Sequence, residues 1–136
     1  MSRSVLLVVA VALIEGDGRV LLSRRPEGKP MAGLWEFPGG KLANGETSQD
    51  ALIRELQEEL GIVVTKDALE PFAFAAHDTP EFHLLMPLFI CRAWQGEPSP
   101  LEGQSLAWVL PADLASYPMP AADVPLAKAL LKELNI

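Results

Sequence analysis

Gly40-Lys-Leu-Ala-Asn-Gly-Glu46, seven further residues, then Arg54-Glu55-Leu56-Gln57-Glu58-Glu59-Leu60-Gly61-Ile62 is the stretch on which the reading of this chain turns. The spacing predicts a helix with Thr47 as N-cap, Asp50 completing a box-like pair, and Gly61 as the C-terminal stop. Leu52, Ile53, Leu56 and Leu60 form its apolar face, and Glu55, Glu58 and Glu59 fall within about 100° of arc about a third of a turn away. Three like charges there repel one another, and acids near a helix C-terminus oppose the macrodipole. A hard divalent cation held by oxygen ligands would offset that penalty.

Around this stretch the sequence describes an ordinary globular protein. Its 136 residues suit one domain, 1–136, and are 49% hydrophobic and 21% charged. The net charge of −7 argues against direct nucleic-acid binding, which needs a basic surface. It leaves room for a small phosphorylated ligand whose charge a cation neutralises. Cys91 is alone and lies in an apolar run, so it reads as a small buried residue in a reducing compartment rather than as a catalytic thiol. The apolar run Val5–Ile14 after Arg3 is too short to span a bilayer and ends in the turn Glu15-Gly-Asp-Gly18 without a cleavage site. It reads as a buried strand, with no membrane attachment and a cytoplasmic location.

Further elements follow from turn signals and alternation. Val5–Ile14 and Arg19–Arg24 flank that turn as an expected hairpin. Pro26–Leu34 is a surface loop. Trp35 to Pro38 is short and aromatic, and the Gly39-Gly40 pair after it permits unusual backbone angles or close approach to a ligand. Leu69–His77 and Phe82–Trp94 are expected strands joined at Asp78–Glu81. A strand over Leu106–Leu110, a short helix over Pro111–Tyr117 and a last helix over Val124–Leu134 complete the chain. Mixed strands with few helices give an α/β or α+β sandwich.

With these residues in view, Gly40-x5-Glu46-x7-Arg54-Glu-Leu-x-Glu58-Glu59-x-Gly61-Ile62 resembles the complete signature of the Nudix hydrolases. Alone, a Glu-x-x-Glu-Glu run reads as a solvated helix face; within the full signature it does not. The resemblance implies an α/β/α sandwich with a mixed β-sheet, a Mg2+ cofactor for which Mn2+ substitutes, and hydrolysis of a nucleoside diphosphate linked to another group. It assigns Glu55, Glu58, Glu59 and the Gly39 carbonyl to the metal, and makes Glu55 the candidate base for the attacking water. Arg54 belongs to the catalytic set as the partner of a carboxylate such as Glu46, holding loop and helix together.

Met31-Ala-Gly-Leu-Trp-Glu-Phe-Pro-Gly-Gly-Lys41, Trp94-x-Gly96-Glu-Pro98 and Glu102-Gly-Gln104 are similar to the MutT-like branch. Members of that branch release pyrophosphate from nucleoside triphosphates such as 8-oxo-dGTP and so keep oxidised guanine out of DNA during replication. By that likeness Glu102 is a further metal ligand from a later loop. Arg25 contacts the phosphates, and Glu36, Phe37, Pro38 and Gly39 line the nucleotide site. Taken as residues, the plain alternatives are an exposed acid for Glu102 and a strand-end charge for Arg25.

Two departures stand out. Where the bacterial prototype reads the base with an Asn, this chain has Ala122-Asp123-Val124-Pro125, and an Asp donates a hydrogen bond only when protonated. Asp123 is therefore either a base reader of altered chemistry or the N-cap of the last helix. Phe82 replaces an arginine near the nucleotide. The expectation is a nucleoside triphosphate pyrophosphohydrolase acting on 8-oxo-dGTP as a monomer or weak dimer. The alternatives are a CTP or modified-dCTP hydrolase and, outside catalysis, a nucleotide-sensing module.

Overall fold

The computed structural model describes residues 4–134; Arg3 and the outermost residues of the expected domain lie outside them. The strands are β1 (Ser4–Leu13), β2 (Val20–Arg24), β3 (Trp35–Glu36), β4 (Gly39–Lys41), β5 (Leu69–Asp78), β6 (Phe82–Cys91) and β7 (Ser105–Val109). The helices are α1 (Ser48–Leu60) and α2 (Asp123–Leu134), with 3-10 turns at Lys66–Ala68 and Pro111–Ser116. One sheet runs β4-β1-β6-β5 and the other β3-β2-β7. The first is mixed, since β1 and β6 are parallel while β4 and β5 pair antiparallel.

The layers follow from alternation along β1. Val9, Val11 and Leu13 pack with Leu52, Leu56 and Leu60 of α1. Ala10 and Ala12 face the other way, in a cluster with Leu126, Ala127 and Leu130 of α2. β2 divides likewise, Leu21 joining the α1 cluster and Val20 and Leu22 the α2 cluster. Helices therefore cover opposite faces of the strands, which is the sandwich expected. Among the described residues no helix is long and apolar enough to cross a membrane.

The expected hairpin is corrected. The turn closes, with Glu15 N–H donating to Arg19 O at 2.9 Å and a bridge between Ile14 and Val20, but β1 and β2 then part into different sheets. The reason is that β1 is buried on both faces from Val9 to Leu13, which suits a central strand. Its two edges are taken by β4 and β6. The Gly39-Gly40 pair, read as a place of permissive backbone angles, opens strand β4. β6 stops at Cys91 rather than Trp94, whose ring stacks on Trp108 at 6.1 Å. The short helix near Pro111 is a 3-10 turn ending at Ser116.

α1 is built as its sequence predicts. Thr47 Oγ1 accepts from Asp50 N–H at 3.1 Å, and Gly61, at φ 71°, donates to Gln57 O. α2 begins one residue early, at Asp123, and this changes the reading of that side chain. Its carboxylate accepts from Phe37 N–H at 3.2 Å. The N-cap alternative gives way to a bond between α2 and the β3–β4 segment.

Candidate active site

Two glycines make one wall of the candidate site possible. β4 lies against β1 with Gly39 opposite Ala10 and Gly40 opposite Val9. A Cβ on Gly39, at φ 155°, would overlap the Val9 carbonyl, and one on Gly40 would occupy the Glu55 carboxylate. Only glycine at both positions lets the strand close on β1 and the Glu55 side chain lie over it.

Arg54 organises the outer side of this wall. Nε and Nη2 make a bidentate pair with Glu46 at 2.7 and 2.8 Å. Nη1 donates to Glu55 at 2.9 Å and to Glu58 at 3.3 Å, and Nη2 also reaches Lys41 O at 3.2 Å. All five guanidinium N–H groups are thereby engaged, so Arg54 fastens the loop to the helix and has no donor left for a substrate. The pairing with Arg54, followed by the Ala43 N–H bond, lowers the Glu46 pKa to about 2. The same pairing raises that of Arg54.

Inside this frame lies a cavity of about 510 Å³ lined by Arg25, Glu36, Phe37, Pro38, Gly39, Glu55, Glu59 and Glu102. Such a volume suits a nucleotide-sized ligand. Burial, then the adjoining Glu55 and Glu102 carboxylates, raise the Glu59 pKa to about 9. Among the described residues its Oε2 is the buried side-chain oxygen left without a hydrogen bond. A buried carboxylate oxygen lacking a donor, among other acids, is the environment that a divalent cation would satisfy. Among the described residues no three carboxylates are grouped closely enough to hold an ion as they stand; Glu55 and Glu58 are paired with Arg54. The donor set is nonetheless all oxygen and acidic, and fits Mg2+ or Mn2+.

On the opposite wall, Arg25 pairs bidentately with Glu36, one contact being 3.1 Å, and donates to Pro30 O at 3.3 Å. That pairing raises its pKa. Glu36 thus meets the site through its side chain as well as its backbone. Asp123 is only 4% exposed and sits behind Phe37; burial raises its pKa to about 7, against the opposing pull of the Phe37 N–H.

The fold thus gathers most of the residues the sequence singled out and leaves others at the margin. Glu58, with 54% of its side chain exposed, is held on the rim by Arg54. Phe82 begins β6, opposite Ser4. Sequence reasoning gave no role to Ser23, Lys29, Pro30 and Gln104, which also line the cavity. Ser23 had a signal, because alternation along β2 puts it on the same side as Arg25. Gln104 was quoted in the Glu102-Gly-Gln104 stretch, but its part depends on contacts across the fold, among them the bond to Glu59 O.

Comparison with known proteins agrees with this geometry. The model of the NUDIX domain matches residues 9–129. The chain belongs to the Nudix family, as a MutT-like hydrolase of phosphoric anhydride bonds. It is 37% identical over 131 residues to the CTP pyrophosphohydrolase of Escherichia coli, covering 93% of this chain and 92% of that one. It is also 37% identical over 134 residues to the 8-oxo-dGTP diphosphatase of Haemophilus influenzae, covering 98% and 96%. A solved chain from work on MutT of Aliivibrio salmonicida and Vibrio cholerae superposes with a TM-score of 0.82 at 35% identity, over 96% of this chain and 99% of that one.

Proposed function

We propose that this protein is a magnesium-dependent nucleoside triphosphate pyrophosphohydrolase that converts 8-oxo-dGTP to the monophosphate and pyrophosphate, keeping the oxidised nucleotide out of DNA. The observation that carries this reading is the buried, unpartnered Glu59 Oε2, with the Glu55 and Glu102 carboxylates beside it and Arg25 on the facing wall of the same cavity. Glu55, Glu58, Glu59, Glu102 and the Gly39 carbonyl hold the cation, with Mn2+ able to replace Mg2+. When bound, the ion neutralises phosphate oxygens and makes water a better nucleophile.

The chain's own residues do the rest. Arg25 orients the phosphates, and the Glu36–Gly39 backbone forms the wall against the base. Glu55 takes the proton of the attacking water. Arg54 holds Glu55 and Glu58 at fixed distances, which matters because small misplacements of catalytic groups are expensive in rate. One chain carries every residue in this scheme, so a monomer suffices, and its nucleotide pool is cytoplasmic.

A CTP substrate is the second reading. The relative named as a CTP pyrophosphohydrolase supports it.

Pyrophosphate release with magnesium across 8-oxo-dGTP, dGTP and CTP tests both. A kcat/KM for 8-oxo-dGTP at least about a hundredfold above that for dGTP upholds the first reading. Preference for CTP moves the protein to the second and leaves the metal site in place. Tight binding of a triphosphate without turnover would sink both, in favour of a nucleotide-sensing module.

A further inference from the structure

Glu102 reaches the cavity on a loop docked against the C-terminal end of α1. Ser99 N–H donates to Leu60 O at 3.0 Å and Leu101 N–H to Glu59 O at 3.1 Å, meeting carbonyls that a helix end leaves open. A further donor arrives at the second of these: Gln104 Nε2 reaches Glu59 O at 3.0 Å. The Oε1 of the same amide accepts from Glu102 N–H at 2.8 Å. Gln104 is 9% exposed, and the next residue opens β7, where Ser105 pairs with Arg24.

An amide with one donor partner and one acceptor partner has a single favourable orientation. Turned over, it would set carbonyl against carbonyl and N–H against N–H. One planar group anchored to the sheet therefore ties the main chain of Glu59 to the main chain of Glu102. These two acids come from segments far apart in sequence, and the bond network gives their backbones a common reference.

We propose that Gln104 is a positioning residue of the cation site, its amide fixing Glu102 relative to Glu59 so that both carboxylates address one divalent ion. This rests on the reading of Glu59 and Glu102 as ligands. Without the amide, Glu102 keeps its charge but loses its placement. Cation affinity then falls, while the nucleotide walls at Arg25 and Phe37 stay as they were.

Methionine at 104 keeps length and bulk while removing both hydrogen bonds. The experiment titrates Mn2+, followed by electron paramagnetic resonance, into nucleotide-free wild type, E102Q, Q104M and the double variant. Thermal midpoints control for folding. E102Q and Q104M should each weaken Mn2+ binding by about tenfold or more. The double variant should bind no more weakly than E102Q, because Gln104 acts through Glu102. In turnover, the magnesium concentration for half activity should rise with Q104M, while KM for the nucleotide moves by less than about threefold.

If E102Q weakens Mn2+ and Q104M does not, or if the two losses add fully, the positioning role is overturned. If E102Q itself leaves Mn2+ binding unchanged, what fails is the reading of Glu102 as a ligand, and the inference falls with it. Q104N keeps the amide a methylene short; it carries the same expectation should the methionine variant not fold.

Discussion

The two walls of the cavity are made in different ways. The catalytic wall of the proposal is mostly local: Glu46, Arg54, Glu55, Glu58 and Glu59 lie within one loop and one helix, and the Arg54 guanidinium joins Glu46, Glu55 and Glu58. The recognition wall is assembled from afar, with Arg25 at the end of β2, Glu36 and Phe37 around β3, and Asp123 at the start of α2, 86 residues beyond Phe37. Local spacing can prescribe the first because helix geometry converts i, i+3 and i+4 directly into one face. It cannot prescribe the second, whose contacts exist only once the sheets and α2 have packed. The catalytic wall should therefore fail chemically when altered while the fold survives. The recognition wall should couple specificity to stability.

The largest effect expected is on the catalytic wall. Glu59→Gln and Glu58→Gln should each lower kcat/KM by about 10³-fold or more with the circular dichroism spectrum unchanged. Glu59→Gln should also abolish the rise in thermal midpoint that magnesium gives the wild type. Rates equal to wild type would remove these carboxylates from the cation site.

The adjacent glycines sharpen the contrast within a single strand. Gly40→Ala intrudes on the Glu55 carboxylate, the movable end of a side chain, so it should cost about 10²-fold in kcat with a small change in midpoint. Gly39→Ala meets the Val9 main chain at a φ that disfavours side chains, so it should destabilise the fold by about 3 kcal/mol or more. Equal and modest effects at both positions would contradict the close approach of β4 to β1 and Glu55.

The smallest expected effect is on the recognition wall, and it depends on pH. Asp123 has a folded pKa of about 7 against 3.8 as the ordinary value, so the native state keeps a proton that the unfolded chain releases. Its contribution is full below pH 3.8 and is lost as pH rises through about 7. Asp123→Asn keeps an acceptor for Phe37 N–H but has no proton to lose. It should match wild type near pH 4 and exceed its stability at pH 8 by about 1–3 kcal/mol. Denaturant melts at the two pH values measure this, and parallel stability curves would show that Asp123 is not held in an unfavourable charged state. The same variant, assayed for CTP against 8-oxo-dGTP, should shift the preference if Asp123 bears on the base.

Legibility followed the same division. The α1 boundaries, the Thr47 and Gly61 caps and the Glu46–Arg54 pair were readable because caps, periodicity and signature spacing act over a few residues. The Glu15–Gly18 turn was readable too, but not the parting of β1 and β2, because a turn fixes a reversal and not which strands then pair. β4 was hidden because a Gly-Gly pair lacks strand propensity, and its place comes from the space those glycines leave beside β1. At Asp123 the sequence offered two roles, and the bond to Phe37 N–H displaced the helix cap.

By itself, then, the sequence determined the local pieces: an acidic helix face and the arginine that pairs with it, both set by short-range helix geometry. Only the tertiary structure decided how deeply Glu59 is buried, that Gln104 joins the Glu59 carbonyl to the Glu102 N–H, and what lies behind Phe37. Those are properties of packing between segments distant in the chain, and burial more than residue type sets the charge states of Glu59 and Asp123.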